Sequence, residues 1–435
     1  MCPYSLAETT RCGKAARQNL SALLWSYRKE QSGGDLVNWR TFYTLNLAVF
    51  TGNLGMGIVI PFMPIYAKTL GATGLTIGIF FASFPLAQML FMPLIGRLSD
   101  QYGRKGFIAV GQLLCCLLSL WYVYAPDIFY LILGRFLQGG SIALIFPIAN
   151  AYVGDLAPPQ KRGTYMGIFN LFLTSSFGMG PLVGGWLSEA YGMESSFYWM
   201  GGLNAVAFLA ILLLLPEAPP AIHAKAQPSS YRDLLRKPKV QGLAFYRIVS
   251  SIQMGLWFSF LPLFATEALK MHNGQIGTVL ATYMLVSSLV QVPFGRLADR
   301  MDRYVLITAG GYLASLAFTF VFFAQGFVHL LLIGAVAGAM GAMSMPALTA
   351  LAADEGHHGG MGAIMGVLNM AMSAGMMLGP VLAGGLAEVV GLRPLFVFSG
   401  LVGALGTLLF SWLSREHRTA AVVAPELAER RTEVS

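Results

Sequence analysis

Long apolar stretches alternate with short polar turns along almost the whole chain. Most stretches have about 20 or more mostly apolar residues, the length that an α-helix needs to cross the hydrocarbon core of a bilayer. The pattern therefore predicts twelve membrane-spanning helices, numbered here in chain order, at 42–66, 76–98, 106–124, 128–154, 163–189, 196–215, 241–266, 275–297, 304–323, 328–353, 361–388 and 394–414.

Three polar segments interrupt or flank these spans. They are a head at residues 1–40, a linker at 216–240 and a tail at 417–435. The head is polar and basic and has no apolar run long enough for a secretory signal peptide. We therefore expect an all-α membrane protein with an N-terminal six-helix bundle at 41–215 and a C-terminal six-helix bundle at 241–416.

The two halves repeat at a constant spacing of 199 residues. At this spacing Asn170 corresponds to Asn369, Gly180-Pro181 to Gly379-Pro380, Glu189 to Glu388 and Asp155 to Asp354. A single offset over more than a hundred residues indicates an internal duplication. Parallel repeats of this kind are related by a pseudo-twofold axis along the membrane normal and enclose a central cavity.

The composition agrees with a membrane protein, because 56% of the residues are hydrophobic and only 11% are charged. A soluble domain has about 25% charged residues. The formal net charge of +8 could suggest nucleic-acid binding. However, the basic residues cluster in alternate loops, and the sequence has neither a zinc-binding spacing nor an RNA-binding signature, so we expect no nucleic-acid partner.

The distribution of lysine and arginine predicts the orientation. Of 28 such residues, only Lys68, Lys270 and Arg393 fall in one set of alternate loops, and Arg135 and Arg247 fall within spans. The positive-inside rule then places both termini and the linker in the cytoplasm. Without long glycosylatable external loops, a multi-pass protein of the bacterial inner membrane is expected.

The loop between spans 2 and 3 holds an unusual concentration of charge, in Gly96-Arg97-Leu98-Ser99-Asp100-Gln101-Tyr102-Gly103-Arg104-Lys105. Gly96 would let a neighbouring helix approach closely, and Gly103 would permit a tight turn. Asp100 lies at a helix end, where a carboxylate suits a guanidinium or a helix N-terminus.

Basic side chains in the same loop offer donors to carboxylates and lipid headgroups. These are Arg97, Arg104 and Lys105, and Asp155 at the end of span 4 is the natural partner for Arg97 or Arg104. A weaker copy of the loop occurs at 295–304, where aspartate replaces the turn glycine. We therefore expect the role of this loop to be asymmetric between the halves, with the copy in the first half dominant.

The charged loop and the duplication resemble the major facilitator superfamily over nearly all of residues 41–416, because the loop matches that family's signature Gly-x-Leu-(Ala/Ser)-Asp-x-x-Gly-Arg-Lys. The resemblance implies the fold of that family, with twelve transmembrane helices in two pseudo-symmetric bundles. It also implies that the loop latches the halves together on the cytoplasmic side when the cavity faces outward. The alternative is that these charges only fix the topology.

Arg135 carries the largest free-energy cost of insertion into the membrane. An arginine in mid-membrane must therefore face protein or a water-filled cavity. It stands in Gly134-Arg135-Phe136-Leu137-Gln138-Gly139-Gly140, which matches the family's span-four pattern Arg-x-x-Gln-Gly. The resemblance implies a role in proton relay or coupling. The alternative is a structural hub that donates hydrogen bonds to backbone carbonyls.

Span 5 contains Gly180-Pro181-Leu182-Val183-Gly184-Gly185, which resembles the family's antiporter motif except that Ser176 replaces its middle glycine. Pro181 removes a backbone hydrogen bond, and the glycines permit close packing against span 8. The resemblance implies export by antiport. Span 11 repeats part of the motif, so duplicated architecture is the competing explanation.

The candidate substrate ligands are polar, aromatic or methionine positions on one helical face: Asn53, Gln138, Asn170, Gln253, Trp257, Asn369 and Met372. Hydrogen bonding within the fold explains the equivalent residues Asn170 and Asn369 equally well. Methionines suit a pliable apolar site. Arg247 falls on the opposite face from Gln253 and Trp257, so we interpret it as an anchor that extends to the membrane surface.

These patterns favour a secondary transporter, not an enzyme, that exports an amphipathic or hydrophobic small molecule by proton-coupled alternating access. The expected partners are the substrate, protons and membrane lipids, for a monomer that needs no cofactor or metal. The main difficulty is that no acidic residue falls at mid-membrane. Alternatives are an uncoupled facilitator or importer of a neutral or anionic metabolite, with Arg135 as anion contact, and a sensor or assembly factor.

Overall fold

In a computed structural model of the chain, residues 39–157, 161–217, 236–359 and 361–432 are described. Within these ranges, the side chains of Arg97, Asp100 and residues 162–163, 356–359, 361–362 and 414–432 lie outside the description. Nearly all of the predicted head and most of the predicted linker lie outside it as well.

The prediction of twelve spans is confirmed, because the described part of the chain holds twelve helices long and apolar enough to cross a membrane. In chain order they are Trp39–Val59, Gly74–Tyr102, Lys105–Val123, the pair Ile128–Ala143 and Phe146–Leu156, Arg162–Tyr191, Met193–Leu214, Pro238–Glu267, Asn273–Ala298, Arg303–Phe320 with the 3₁₀ turn Val321–Phe323, Phe327–Gly359, Met361–Val390 and Pro394–Thr432. The last helix extends through most of the segment that was predicted to be a tail.

Two spans are interrupted where the sequence has proline. The predicted first span ends at Val59, and a short helix, Met63–Thr69, follows with proline in its first turn. Span 4 breaks between Ala143 and Phe146, and its second helix also has proline in the first turn. Proline is tolerated there because the first turn of a helix needs no donor from its backbone nitrogen.

The helices form two six-helix bundles with equivalent internal packing. In the first bundle span 1 packs against spans 5 and 6, and in the second span 7 packs against spans 11 and 12. Spans 1 and 7 are the most buried spans of their bundles. Between the bundles, span 2 packs against span 11 and span 5 against span 8. The expected fold class, two pseudo-symmetric bundles, is therefore confirmed.

Candidate functional site

The two bundles approach most closely where glycine faces the backbone of the opposite half. Gly74 and Gly78 of span 2 lie so near Gly384 and Pro380 of span 11 that a Cβ atom at either glycine would overlap an opposing carbonyl oxygen. The equivalent contacts join spans 5 and 8, where Gly185 lies against Gly274 and Gly277 against Pro181. Only a bare backbone permits this separation.

The glycine-rich motif of span 5 therefore has two faces. Gly180 and Gly184 pack against span 1 of their own bundle. Pro181 and Gly185 pack against span 8 of the other bundle. The close approach expected between spans 5 and 8 is present, and half of the motif serves a contact with span 1 that the sequence analysis did not anticipate.

Polar groups reinforce this interface at one end of the molecule. Glu189 Oε2 accepts a hydrogen bond from the backbone N–H of Gly274 at 3.0 Å, and Glu388 Oε1 accepts one from the backbone N–H of Leu75 at 3.0 Å. Both nitrogens belong to the first turn of a helix in the opposite half. Such turns carry free N–H groups and partial positive charge, so each carboxylate caps a helix across the interface.

A third polar contact at the same end joins Lys68 to Glu267 in an ion pair. The two residues occupy equivalent positions, 199 residues apart, so the contact lies on the pseudo-twofold axis. We call this end of the molecule, at residues 66–75 and 265–274, the sealed end. A cleft of about 570 Å³ at its surface is lined by Lys68, Glu267, Glu388 and Arg393 among others.

Toward the other end, which we call the open end, the same helix pairs carry solvent-exposed side chains. Leu90 and Met370 on spans 2 and 11, and Leu171 and Leu289 on spans 5 and 8, are all exposed. The hydrogen bonds and ion pairs that join described side chains of the two halves all lie at the sealed end. We infer from this one-sided distribution of contacts that the bundles diverge toward the open end and leave a cleft there.

The charged loop lies at the open end. Arg104 is almost fully buried and pairs with Asp155, with 3.0 Å between Nη2 and Oδ2. The equivalent pair in the second half, Arg303 with Asp354 at 2.6 Å, is more exposed. Both pairs lie within one bundle, so neither joins the two halves in this structure.

Glycines of the charged loop differ in their surroundings. Gly103 caps span 2 with φ of +92°, a conformation that favours glycine, and Lys105 begins span 3. The expectation for Gly96 is wrong in this structure, because a Cβ atom there would meet no atom within 4 Å. The side chains of Arg97 and Asp100 lie outside the described part.

Arg135 is enclosed by the first bundle and is only 3% exposed. Its Nη1 donates to Gln138 Oε1 at 2.7 Å, and its Cζ lies 4.7 Å from the ring centre of Phe84. The Tyr122 hydroxyl donates to the same Gln138 oxygen at 2.9 Å. The arrangement is a hub made from aromatic rings and an amide side chain instead of backbone carbonyls, and it leaves Arg135 inaccessible to an anion in the cleft.

Four of the seven candidate substrate ligands are enclosed within their own bundles in this structure. Asn53 and Gln138 are buried beside a chamber of only about 10 Å³ inside the first bundle. Gln253 donates hydrogen bonds to Ser315 and Ser399 within the second bundle. Trp257 is fully buried and packs against two aromatic rings.

The remaining three candidates are accessible. Asn170 and Asn369 are exposed on spans 5 and 11, and Met372 is half-buried one turn from Asn369. Asn170 and Asn369 lie beside the exposed Leu171 and Met370, where the bundles diverge. These residues can contact a molecule in the cleft.

The sequence analysis missed Arg247 of span 7. Its Nη1 lies 2.7 Å from Met345 Sδ and its Nη2 lies 2.9 Å from Met372 Sδ. The guanidinium is therefore directed at spans 10 and 11 and not toward the membrane surface, so the interpretation as an anchor is wrong. A charge well inside a span, the property that singled out Arg135, is the signal that could have identified it.

The family model described as Major Facilitator Superfamily matches residues 45–264 and 243–434. An uncharacterised MFS-type transporter of Methanocaldococcus jannaschii is 29% identical over 368 residues, covering 83% of this chain and 95% of the relative. Multidrug resistance protein 2 of Bacillus subtilis is 28% identical over 401 residues, covering 88% and 98%.

Among solved structures, the fold is similar to a bacterial homologue of the human lysosomal transporter Spinster in its inward-facing and unoccupied conformation. The TM-score is 0.76 at 16% identity, and the match covers 88% of this chain and 98% of that chain. At this identity the likeness shows the fold alone.

Proposed function

The chain belongs to the major facilitator superfamily of membrane transporters, and from that premise we propose that it exports an amphipathic or hydrophobic small molecule by proton-driven alternating access. One observation carries the proposal. The polar contacts that join described residues of the two bundles lie at one end of the molecule, an asymmetry that suits a transporter with alternating access. The similarity to a multidrug resistance protein supports export of such molecules.

The walls of the cleft support an amphipathic substrate. The exposed side chains where the bundles diverge are mostly apolar, and Asn170 and Asn369 add two equivalent amides. Met372 adds a flexible thioether that adapts to varied apolar shapes. Such a surface binds by apolar burial with a few hydrogen bonds, which suits an exporter of hydrophobic compounds.

Proton coupling would reside at the sealed end, which we propose lies outside the cell because few lysines and arginines fall in its loops. Among the described residues no acidic side chain lies at mid-span, whereas Glu189 and Glu388 cap helices across the interface. Glu388 also lines the surface cleft, so water can reach it. Protonation of these carboxylates would weaken both caps and favour opening of the sealed end.

The charged loop would then control the open end, which we place in the cytoplasm. In that role Arg104 and Asp155 hold the start of span 3 against the end of span 4. Gly96, Arg97, Asp100 and the neighbouring positions would meet the second bundle only when the open end closes. Arg135 would keep spans 2, 3 and 4 of the first bundle rigid as they move.

The test is flux in proteoliposomes that contain the purified full chain and carry an imposed pH gradient, with a panel of lipophilic cations, organic anions and sugars. We expect uphill movement of a lipophilic compound that stops when an ionophore collapses the gradient. Downhill equilibration that ignores the gradient would instead identify a facilitator. No flux for any compound, with retained binding of a protein partner, would identify a sensor or assembly factor.

A further inference from the structure

Arg247 carries a positive charge into the interior of the second bundle. It lies nine residues after Pro238, where span 7 begins, which is about 13 Å along the helix axis. Burying an arginine at such a depth costs several kcal/mol unless the charge meets a partner. The surroundings of the guanidinium therefore indicate what the site binds.

The described part of the chain supplies no carboxylate partner for this guanidinium. The atoms that face its two terminal nitrogens are the sulfurs of Met345 and Met372. A thioether sulfur is a weak acceptor without charge, so it does not neutralise an arginine. Arg135 differs, because its guanidinium donates a hydrogen bond to Gln138 and lies against aromatic rings that stabilise its charge.

The arginine is accessible from the cleft. Arg247, Met345 and Met372 are each largely but not fully buried, and Asn369, one turn before Met372, is exposed. On span 10, Gly341 lies one turn before Met345 on the same face, and a Cβ atom there would meet nothing within 4 Å. A molecule in the cleft can thus reach the guanidinium between spans 7, 10 and 11.

The first bundle has no equivalent charge. The position that corresponds to Arg247 is Ala48, which is buried and apolar. Among the described residues, the second bundle therefore presents a cation next to methionine sulfurs that the first bundle lacks at the equivalent position. Sulfur makes favourable contacts with aromatic rings, so the site combines an anion contact with a surface for an apolar or aromatic group.

We propose that Arg247 is the counter-ion of an anionic group on the substrate, and that the transported class is amphipathic organic acids with an apolar or aromatic body. The carboxylate, sulfonate or phosphate would accept hydrogen bonds from the two terminal nitrogens, as planar guanidinium groups bind oxyanions. The apolar body would lie against Met345 and Met372. This proposal rests on the transport function proposed above and narrows its substrate.

The test compares two probes of nearly equal shape, 2-naphthoate and its neutral amide 2-naphthamide. Binding is measured by equilibrium dialysis on the full chain in nanodiscs of neutral phosphatidylcholine. The variants are Arg247→Gln and Arg247→Lys. Lys270→Gln removes one positive charge at an exposed loop position and serves as the matched control.

We expect the natural chain to bind 2-naphthoate at least tenfold more tightly than 2-naphthamide. Arg247→Gln should weaken 2-naphthoate binding at least tenfold and leave 2-naphthamide unchanged, which also shows that the variant is folded. Arg247→Lys should keep part of the preference, and Lys270→Gln should keep all of it. No preference in the natural chain, no binding of 2-naphthoate, or equal weakening of both probes by Arg247→Gln would overturn the proposal.

A second arm separates a transported acid from a lipid headgroup. If phosphatidylglycerol in the nanodiscs displaces 2-naphthoate from the natural chain, the site belongs to lipid and the organic-acid proposal fails. The flux assay distinguishes the two proposals from each other. Gradient-driven flux without selection for acids would overturn only the anion site, whereas acid-selective binding without any flux would overturn only the transport function.

Discussion

Two arginines inside the membrane-spanning region show how much the neighbours of a charge decide its role. Arg135 lies in a closed pocket of aromatic rings and donates to Gln138, all within one bundle. Arg247 lies at the edge of the cleft, with only sulfur atoms as acceptors. The same residue type is thus part of the bundle's core in one half and is available to a ligand in the other.

The contrast explains why the sequence alone identified only some of the residues of the candidate site. Helical periodicity gives the angle between two side chains on one helix, for example Arg247 against Trp257. It does not say which face of that helix a neighbouring span covers. Periodicity therefore predicts a ligand at Trp257, although Tyr283 and Phe318 cover it. It likewise predicts an anchor at Arg247, although the guanidinium contacts Met372 of span 11.

Arg135→Lys should lower the stability of the protein by about 2 kcal/mol, because lysine loses the planar contact with Phe84 and the geometry of the hydrogen bond to Gln138. The measurement is the midpoint of thermal unfolding in detergent. Arg300→Lys, at an exposed position, is the control and should not shift the midpoint. Unchanged stability together with lost proton-driven flux would instead support a proton relay through Arg135.

The helices themselves were predictable, since each span needs an uninterrupted apolar run and such runs are plain in the sequence. The positions where the helices are interrupted were harder to predict. The chain leaves its helix after Val59 and between Ala143 and Phe146, near prolines that the periodicity alone treats as part of one span. The glycines of span 5 were expected to meet span 8, yet Gly180 and Gly184 face span 1 because consecutive glycines point in different directions around a helix.

Adjacent glycines on span 11 offer a sharp test of the sealed interface. Gly384→Ala should push spans 2 and 11 apart, since a Cβ atom there would overlap the backbone of Gly74. Gly385→Ala, with nothing within 4 Å of its Cβ atom, is the matched control. We expect only Gly384→Ala to lengthen the distance between spin labels at Thr69 and Ala268, measured by double electron–electron resonance.

The labels require a background without the native cysteines Cys2, Cys12, Cys115 and Cys116. Thr69 and Ala268 are exposed and equivalent by the repeat, one in each half of the sealed end. The same lengthening in both glycine variants would mean that helix propensity, and not the contact with span 2, controls the interface.

The relation between the halves is the property of the whole molecule on which the proposed coupling depends. Two symmetric caps hold the sealed end: Glu189 of span 5 caps the start of span 8, and Glu388 of span 11 caps the start of span 2. The duplication in the sequence indicated that the halves would be equivalent. It could not indicate which equivalent residues meet across the interface, because that depends on the direction in which the cleft is open.

Replacing both caps, in Glu189→Gln with Glu388→Gln, should increase the population with an opened sealed end about fivefold to tenfold. Each carboxylate near a helix N-terminus contributes about 0.3–1 kcal/mol, and 1.4 kcal/mol is tenfold in an equilibrium constant. The readout is the fraction of long distances between labels at Thr69 and Ala268.

Acidification should shift the natural chain in the same direction, since the charged form of each carboxylate stabilises the cap and protonation removes that charge. The double variant should respond much less, because it lacks both carboxylates. An equal response of the double variant and the natural chain to acid would assign the proton sensitivity to other groups.

The ion pair of Lys68 with Glu267 also bears on the ancestry of the protein. The two residues occupy the same position in the two copies of the repeat and meet on the axis between them. In a dimer of two identical ancestral halves, this position would have set like against like, lysine beside lysine or glutamate beside glutamate. Opposite charges there require two copies that differ in sequence. The contact therefore indicates that the two copies diverged at this position, to a basic residue in the first half and an acidic residue in the second.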